Sequence, residues 1–169
     1  MRQALTEPGV TLFFEDRMIR DGDTKPSDLL TTERKSVQKF GWAGWRGNAD
    51  NPRLTVVAYG LMVREVELAL DEAAIANVDV LDLKTLYPLD MGSICVSVAE
   101  TRHLLIVEPD VVFGGIGAEI IASVVQDFQG EVQVYRLGAP REVIPANREG
   151  QARMLPSREK ILEAIRGML

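Results

Sequence analysis

The stretch Leu105-Ile106-Val107-Glu108, a short connection, and Gly114-Gly115-Ile116-Gly117-Ala118-Glu119-Ile120-Ile121 constrain this chain more than any other part of it. A β-branched run ends in a carboxylate, and a glycine-rich turn then opens an amphipathic helix. A parallel α/β sheet sets a helix N-terminus near its functional edge in this way. The same alternation extends to both sides. Leu54-Thr55-Val56-Val57-Ala58-Tyr59 is a strand ending at Gly60, after which Met62, Val63, Val66, Leu70, Ala73 and Ala74 recur at helical spacing. Val78 to Leu83 is the next strand, and Asp90 can cap a helix carrying Ile94, Cys95 and Val98. Ile116, Ile120, Ile121, Val124, Val125 and Phe128 stripe the helix after Glu108. Val132 to Leu137 is a last strand, and Ser157 caps a closing helix with Ile161, Leu162, Ile165 and Met168 inward. Such spacing predicts βαβ crossovers, hence a three-layer α/β/α fold with a mostly parallel sheet of about five strands. Trp42 to Arg46, arriving before the first βα unit, is expected as an added, antiparallel edge strand.

Residues 1–53 have a different character from 54–169, and a boundary is expected between them. Arg2 to Thr6 resembles the tail of a helix stopped by Glu7-Pro8-Gly9. Val10-Thr11-Leu12-Phe13-Phe14-Glu15 is predicted to be a buried strand with acids at its end. Asp21 to Asp28 is polar and rich in turn formers, hence a loop, and Asn48 to Pro52 is a hinge. One helix end and one strand cannot bury a core alone. They call for a partner sheet.

Composition excludes several function classes. The chain has 169 residues, of which 46% are hydrophobic and 26% charged, the profile of a soluble globular protein. A domain of this size buries roughly 70% of its unfolded surface, so it needs no disulfide or metal staple. Cys95 is the single cysteine, cannot form an internal bridge, and lies in an apolar run that predicts a buried, inert thiol. No apolar run reaches the roughly 20 residues that span a bilayer, and Met1-Arg2-Gln3-Ala4 opens no signal peptide. A reducing, cytoplasmic setting is the simplest expectation. The net charge of −6 argues against nucleic acid, which requires a basic footprint. It suits a basic protein partner, although solubility explains it equally well.

Four motifs occur in a recognisable order. These are Asp82-Leu83-Lys84-Thr85-Leu86-Tyr87-Pro88-Leu89-Asp90, Val107-Glu108, Gly114 to Ile120, and Arg136-Leu137-Gly138-Ala139-Pro140. Together they resemble the C-terminal domain of transketolase-like, thiamin-diphosphate-dependent enzymes. The β subunit of the decarboxylating component of 2-oxo acid dehydrogenase complexes (pyruvate, branched-chain 2-oxo acid or acetoin) is the best match. Val10 to Asp16 resembles the last strand of that subunit's pyrimidine-binding domain. The resemblance implies that residues 1–53 are a remnant of that domain with a linker and an edge strand, and that 54–169 form the C-terminal domain.

It also implies where chemistry lies in the complete enzyme. Thiamin diphosphate sits between two other domains there, one supplying a glutamate to the aminopyrimidine and the α subunit holding diphosphate and magnesium. Glu15 stands on the wrong strand to be that glutamate. The expectation is therefore that this chain alone has no catalytic, cofactor or metal residues and binds no thiamin diphosphate. Its implied partners are a second β chain, the α subunit, and the dihydrolipoyl acyltransferase core. Glu131 and the carboxylate of Leu169 fall where the family offers acids to that core; a solvated loop residue is the plainer account of Glu131. The family's acid and proline-rich turn after Gly138-Ala139-Pro140 is replaced by Arg141-Glu142-Val143-Ile144-Pro145, which keeps only the later proline.

Other residues carry weaker signals. Glu108 with Gly114, Gly115 and Gly117 could form an anion site at the sheet edge. Alternatively the glycines allow a tight turn, and Glu108 caps the helix or pairs with a basic neighbour. A dinucleotide fingerprint belongs on the first βα turn, not the third. Glu119 belongs on the polar side of its helix. His103 has no nucleophile or carboxylate placed beside it by sequence, so base duty is not expected. Trp42 and Trp45 suit packing of an edge strand better than a stacking platform. Two further classes stay open: a stand-alone binding or regulatory module of the same descent, and a small anion- or nucleotide-binding protein.

Overall fold

A computed structural model of the chain describes residues 8–15, 43–46, 51–129 and 131–169. Its described residues contain strands β1 (Gly44–Arg46), β2 (Leu54–Ala58), β3 (Val78–Asp82), β4 (His103–Val111) and β5 (Gln133–Ala139). They stand in the order β1-β3-β2-β4-β5. β2 to β5 are mutually parallel; Thr55 lies opposite both Asp79 and Leu104, and Ile106 lies opposite Arg136. β1 runs antiparallel along β3, with Trp45 opposite Leu81. The helices are α1 (Leu61–Glu72), α2 (Met91–Thr101), α3 (Ile116–Asp127), α4 (Arg148–Met154) and α5 (Arg158–Met168).

The period of two along a strand divides the core. Leu54, Val56, Ala58, Leu105 and Val107 face α1 and α5, and pack with Met62, Val66, Ile161 and Ile165. Val57, Leu81, Leu104 and Ile106 face the other side, against Ile94 and Val98 of α2 and Ile120 and Val124 of α3. Both central strands are therefore apolar on both faces, as a sheet covered twice requires. Each fully buried Leu, Ile or Val stabilises the fold by roughly 1.5–3 kcal/mol, so these two clusters dominate. Arg158 of α5 bridges Glu65 at 2.7 Å and Glu72 at 2.9 Å, which ties α5 across α1.

Three expectations need correction. Val10 to Glu15 forms no strand and is exposed, with Val10 at 94% and Phe14 at 86%. A strand needs a neighbouring strand to share its N–H and C=O groups, and none of the described strands forms a ladder with this segment. Cys95 is half-buried rather than buried, because Ile94 and Val98 occupy the inward face of α2. Burial, then the nearby Asp127 carboxylate, still push its thiol pKa up. β4 continues past Glu108 to Val111, with an irregular register after Val107 where Pro109 offers no N–H.

Helix α4 has no counterpart in the sequence-based expectations. It buries no residue, so no apolar period marks it. Arg2–Thr6, the Asp21–Asp28 loop, Trp42 and residues 48–50 of the expected hinge lie outside the described residues, as does the side chain of Trp45.

Candidate functional site

From β2 the chain moves to β3 on one side, while β4 lies on the other, so the order of the sheet reverses between β2 and β4. Open α/β sheets place ligands outside the carboxyl ends of the strands at this point. Here the position holds Tyr59 and Gly60 after β2, and Glu108 in β4.

Glu108 is completely buried. It shares the strand face of Ile106, which is the α3 side of the sheet, and Arg136 stands in register with Ile106 on the neighbouring strand. The carboxylate and guanidinium consequently meet. Arg136 donates to Glu108 Oε1 through Nη2 at 2.6 Å and Nε at 3.2 Å. Nη2 also donates to the Val112 carbonyl at 2.7 Å. The second carboxylate oxygen, Oε2, accepts the Gly117 N–H at 3.1 Å in the first turn of α3. Glu108 thus occupies the anion position that a helix N-terminus favours.

The glycines make this possible. A Cβ on Gly115 would lie 2.7 Å from Glu108 Oε2, and one on Gly117 2.9 Å from Oε1 and 3.0 Å from Arg136 Nε. On β5, a Cβ at Gly138 would lie 2.8 Å from the Asp110 carbonyl oxygen. Gly114 serves the turn itself, since its φ of +78° is a conformation in which a side chain would be strained. The structure therefore joins Glu108, Gly115 and Gly117 with Arg136 and Gly138. The pair is a closed lock among β4, β5 and α3, with both carboxylate oxygens occupied by protein donors.

Tyr59 borders the lock. Burial, and after it the Glu108 and Asp110 carboxylates, push its phenol above the usual tyrosine range, so the hydroxyl stays protonated. Sequence alone singles out neither Tyr59 nor Arg136 as a site residue. The strand parity of Ile106, Glu108 and Arg136 is the available signal for Arg136.

A second polar group lies near the amino ends of the strands. Thr55 Oγ1 lies 2.7 Å from both Ser97 Oγ and Thr101 Oγ1, and Ser97 donates to Asp79 Oδ2 at 3.0 Å. All four residues are buried and link β2, β3 and α2. Their hydroxyls satisfy one another, as buried polar groups must. His103, half-buried at the start of β4, has Nδ1 2.9 Å from the Thr101 carbonyl and lies at the opposite end of its strand from Glu108.

The remaining candidates are dispersed. Glu119 is exposed on α3. Glu131 is exposed, and its N–H donates to the Phe128 carbonyl at 3.1 Å. Leu169 is half-buried against the α1–α5 cluster, and its carbonyl oxygen accepts from Arg53 Nη2. Among the described residues no group of three or more His, Cys, Asp or Glu could hold a metal ion. No helix among them is long and apolar enough to cross a membrane.

Comparison with known proteins agrees with this architecture. The family "Transketolase, C-terminal domain" matches residues 44–161. The pyruvate dehydrogenase E1 component subunit beta of Bacillus subtilis (strain 168) is 32% identical over 163 residues, covering 89% of this chain and 50% of its own length. The mitochondrial counterpart of Caenorhabditis elegans is 32% identical over 177 residues, covering 100% of this chain and 49% of its own. The chain thus spans about half the length of the curated relatives it matches. A solved split gene transketolase, an inactive beta4 tetramer, superimposes with a TM-score of 0.61 at 21% identity, covering 74% of this chain and 42% of that one. That likeness concerns the fold. The chain belongs to the transketolase C-terminal domain family and is homologous to the C-terminal part of pyruvate dehydrogenase E1 β subunits.

Proposed function

We propose that this chain is the assembly and docking part of the decarboxylating component of a 2-oxo acid dehydrogenase, with bond-making carried out by polypeptide outside it. The observation that carries this is the Glu108–Arg136 lock: the position where an α/β sheet would take a ligand is filled by the protein's own anion and cation. By resemblance, the complete enzyme uses thiamin diphosphate and magnesium. The described residues do not fit that group: the α3 N-terminus already holds Glu108, and no cluster of metal-ligating side chains is present among them. Alone, the chain neither binds thiamin diphosphate nor decarboxylates a 2-oxo acid.

On the same proposal, residues 1–53 belong with a preceding pyrimidine-binding domain and 54–169 form the C-terminal domain. The exposed apolar run Val10 to Phe14 then awaits a sheet from that preceding domain. The partners are a second copy of the chain, the α subunit and the acyltransferase core, in a reducing, cytoplasmic setting. The Leu169 carboxyl oxygen is already held by Arg53, whereas exposed Glu131 offers negative charge to a basic docking domain. Such a contact governs association rate and specificity more than affinity.

The test is a reconstitution. The purified chain is offered a 2-oxo acid with thiamin diphosphate and magnesium, then mixed with an α subunit and the missing β domain. Association with restored carbon dioxide release is expected only in the mixture. Turnover by the chain alone, or failure to associate with either piece, overturns the proposal. Glu131→Lys is expected to slow capture by the acyltransferase's docking domain and to flatten its salt dependence.

A further inference from the structure

We infer that the corner between α3 and β5 is a binding site for a small carboxylate in its own right, with Glu108 as an occupant the chain supplies itself. The inference rests on the reading above, that the sheet's ligand position is filled from within, and names the chemistry that fills it. Neither donor belongs to the strand that carries Glu108. Arg136 comes from β5, and its Nη2 is aimed by the Val112 carbonyl at 2.7 Å as well as by Glu108 at 2.6 Å. The Gly117 N–H lies in the first turn of α3, where amides have no partner within the helix. Both donors therefore keep their places without Glu108. A largely buried cation and a bare amide would then face one space, an arrangement that a free anion satisfies.

The walls set the size of the ligand. Three glycines meet the Glu108 side chain with bare backbone. A Cβ would lie 2.7 Å from Oε2 at Gly115, 2.9 Å from Oε1 at Gly117 and 2.9 Å from Cγ at Gly138. The slot admits an unbranched chain and nothing beside it. Propionate repeats the glutamate side chain heavy atom for heavy atom, and acetate repeats it without Cβ. A branched acid of the same charge, such as isobutyrate, would press a methyl group against one of these walls. The ligand class is thus a short, straight-chain carboxylate.

Cutting the tether tests this. Glu108→Gly removes the whole side chain, and Glu108→Ala leaves Cβ behind. Each full-length variant is refolded from urea and melted in sodium formate, acetate, propionate or isobutyrate, with sodium chloride at equal ionic strength as the reference. A ligand that binds only the folded chain raises the midpoint in a saturable way. Propionate is expected to raise that of Glu108→Gly by about 2–4 °C or more, with acetate and then formate following. In Glu108→Ala the best ligand should change to acetate, since Cβ already stands where the propionate methyl would lie. The native chain should not respond, nor should Glu108→Gly combined with Arg136→Met. If Glu108→Gly shows no cooperative melt in chloride, the straight-chain acids are expected to restore one. No response beyond chloride in either variant, an equal response to isobutyrate, or a response that survives Arg136→Met overturns the inference. So does a native chain that shifts as far as the variants. If the inference falls while the reconstitution above succeeds, the assembly proposal stands. If the carboxylates rescue but the chain associates with neither piece, the assembly proposal falls alone.

Discussion

At the scale of single residues, Glu108 and Arg136 carry the most consequence. A buried carboxylate costs several kcal/mol in lost hydration, and its partners here offset that cost only as a set. Glu108→Ala leaves Arg136, itself largely buried, without its anion. Urea unfolding is expected to show a loss of about 3 kcal/mol or more. Glu108→Met combined with Arg136→Met should recover much of it, because no charge then remains unpaired. If the single and double variants are equally unstable, the pair is not the lock described. Gly117→Ala is expected to cost about 1–3 kcal/mol by overpacking. The new methyl would press on Glu108, Arg136 and the Ile106 side chain at once, and none of these is a free chain end. His103 is quieter: its ring Nδ1 lies 2.9 Å from the Thr101 carbonyl oxygen.

At the scale of elements, Asp90 ties the start of α2 to the entrance of β1. Its Oδ1 accepts the Ser93 N–H at 3.1 Å as the cap of α2, and its Oδ2 accepts the Ala43 N–H at 2.7 Å at the entrance to β1. Partial burial pushes its carboxyl pKa up, but the bonds from Ala43 and Ser93 outweigh this and hold it below the ordinary aspartate value. A depressed folded-state pKa sets the sign of the pH effect. The stabilisation is complete above the ordinary carboxylate range and is lost as pH falls through it towards the folded value. Asp90→Ala is expected to cost about 1 kcal/mol at neutral pH, and to shrink that acid-side loss. Hydrogen exchange should speed up selectively in residues 44–46. If those amides keep their protection, β1 is held by β3 alone. The capping role of Asp90 was legible from its position before an apolar run, but its hold on Ala43 spans 47 positions of sequence and was not.

At the scale of the whole molecule, a sheet covered on both faces is accompanied by an apolar segment, Val10 to Phe14, whose large side chains are exposed. Phe13→Ser combined with Phe14→Ser is expected to leave the melt of the folded unit unchanged within about 0.5 kcal/mol, as for exposed positions generally. On the function proposed above, the same variant should also lose association with a separately supplied pyrimidine-binding domain. A large fall in stability would place these rings in a core instead. The sequence by itself determined the α/β class, the succession of β2 to β5 and the helices α1, α2, α3 and α5 that cover them. Those features are written in local pattern: a short continuous apolar run along Leu54 to Ala58, as a strand covered on both faces requires, and a period near 3.6 along Ile116 to Val124, which fixes the apolar side of that helix. It also placed Glu108 beside the glycine turn, nine positions from the amide it accepts. Only the tertiary structure decided what Glu108 does. Arg136 reaches it from a strand 28 positions away, and the Thr55–Ser97–Asp79 group is likewise assembled from three elements. The outcome for Val10 to Phe14 was also beyond local pattern, because a strand exists only when another edge is there to pair with it.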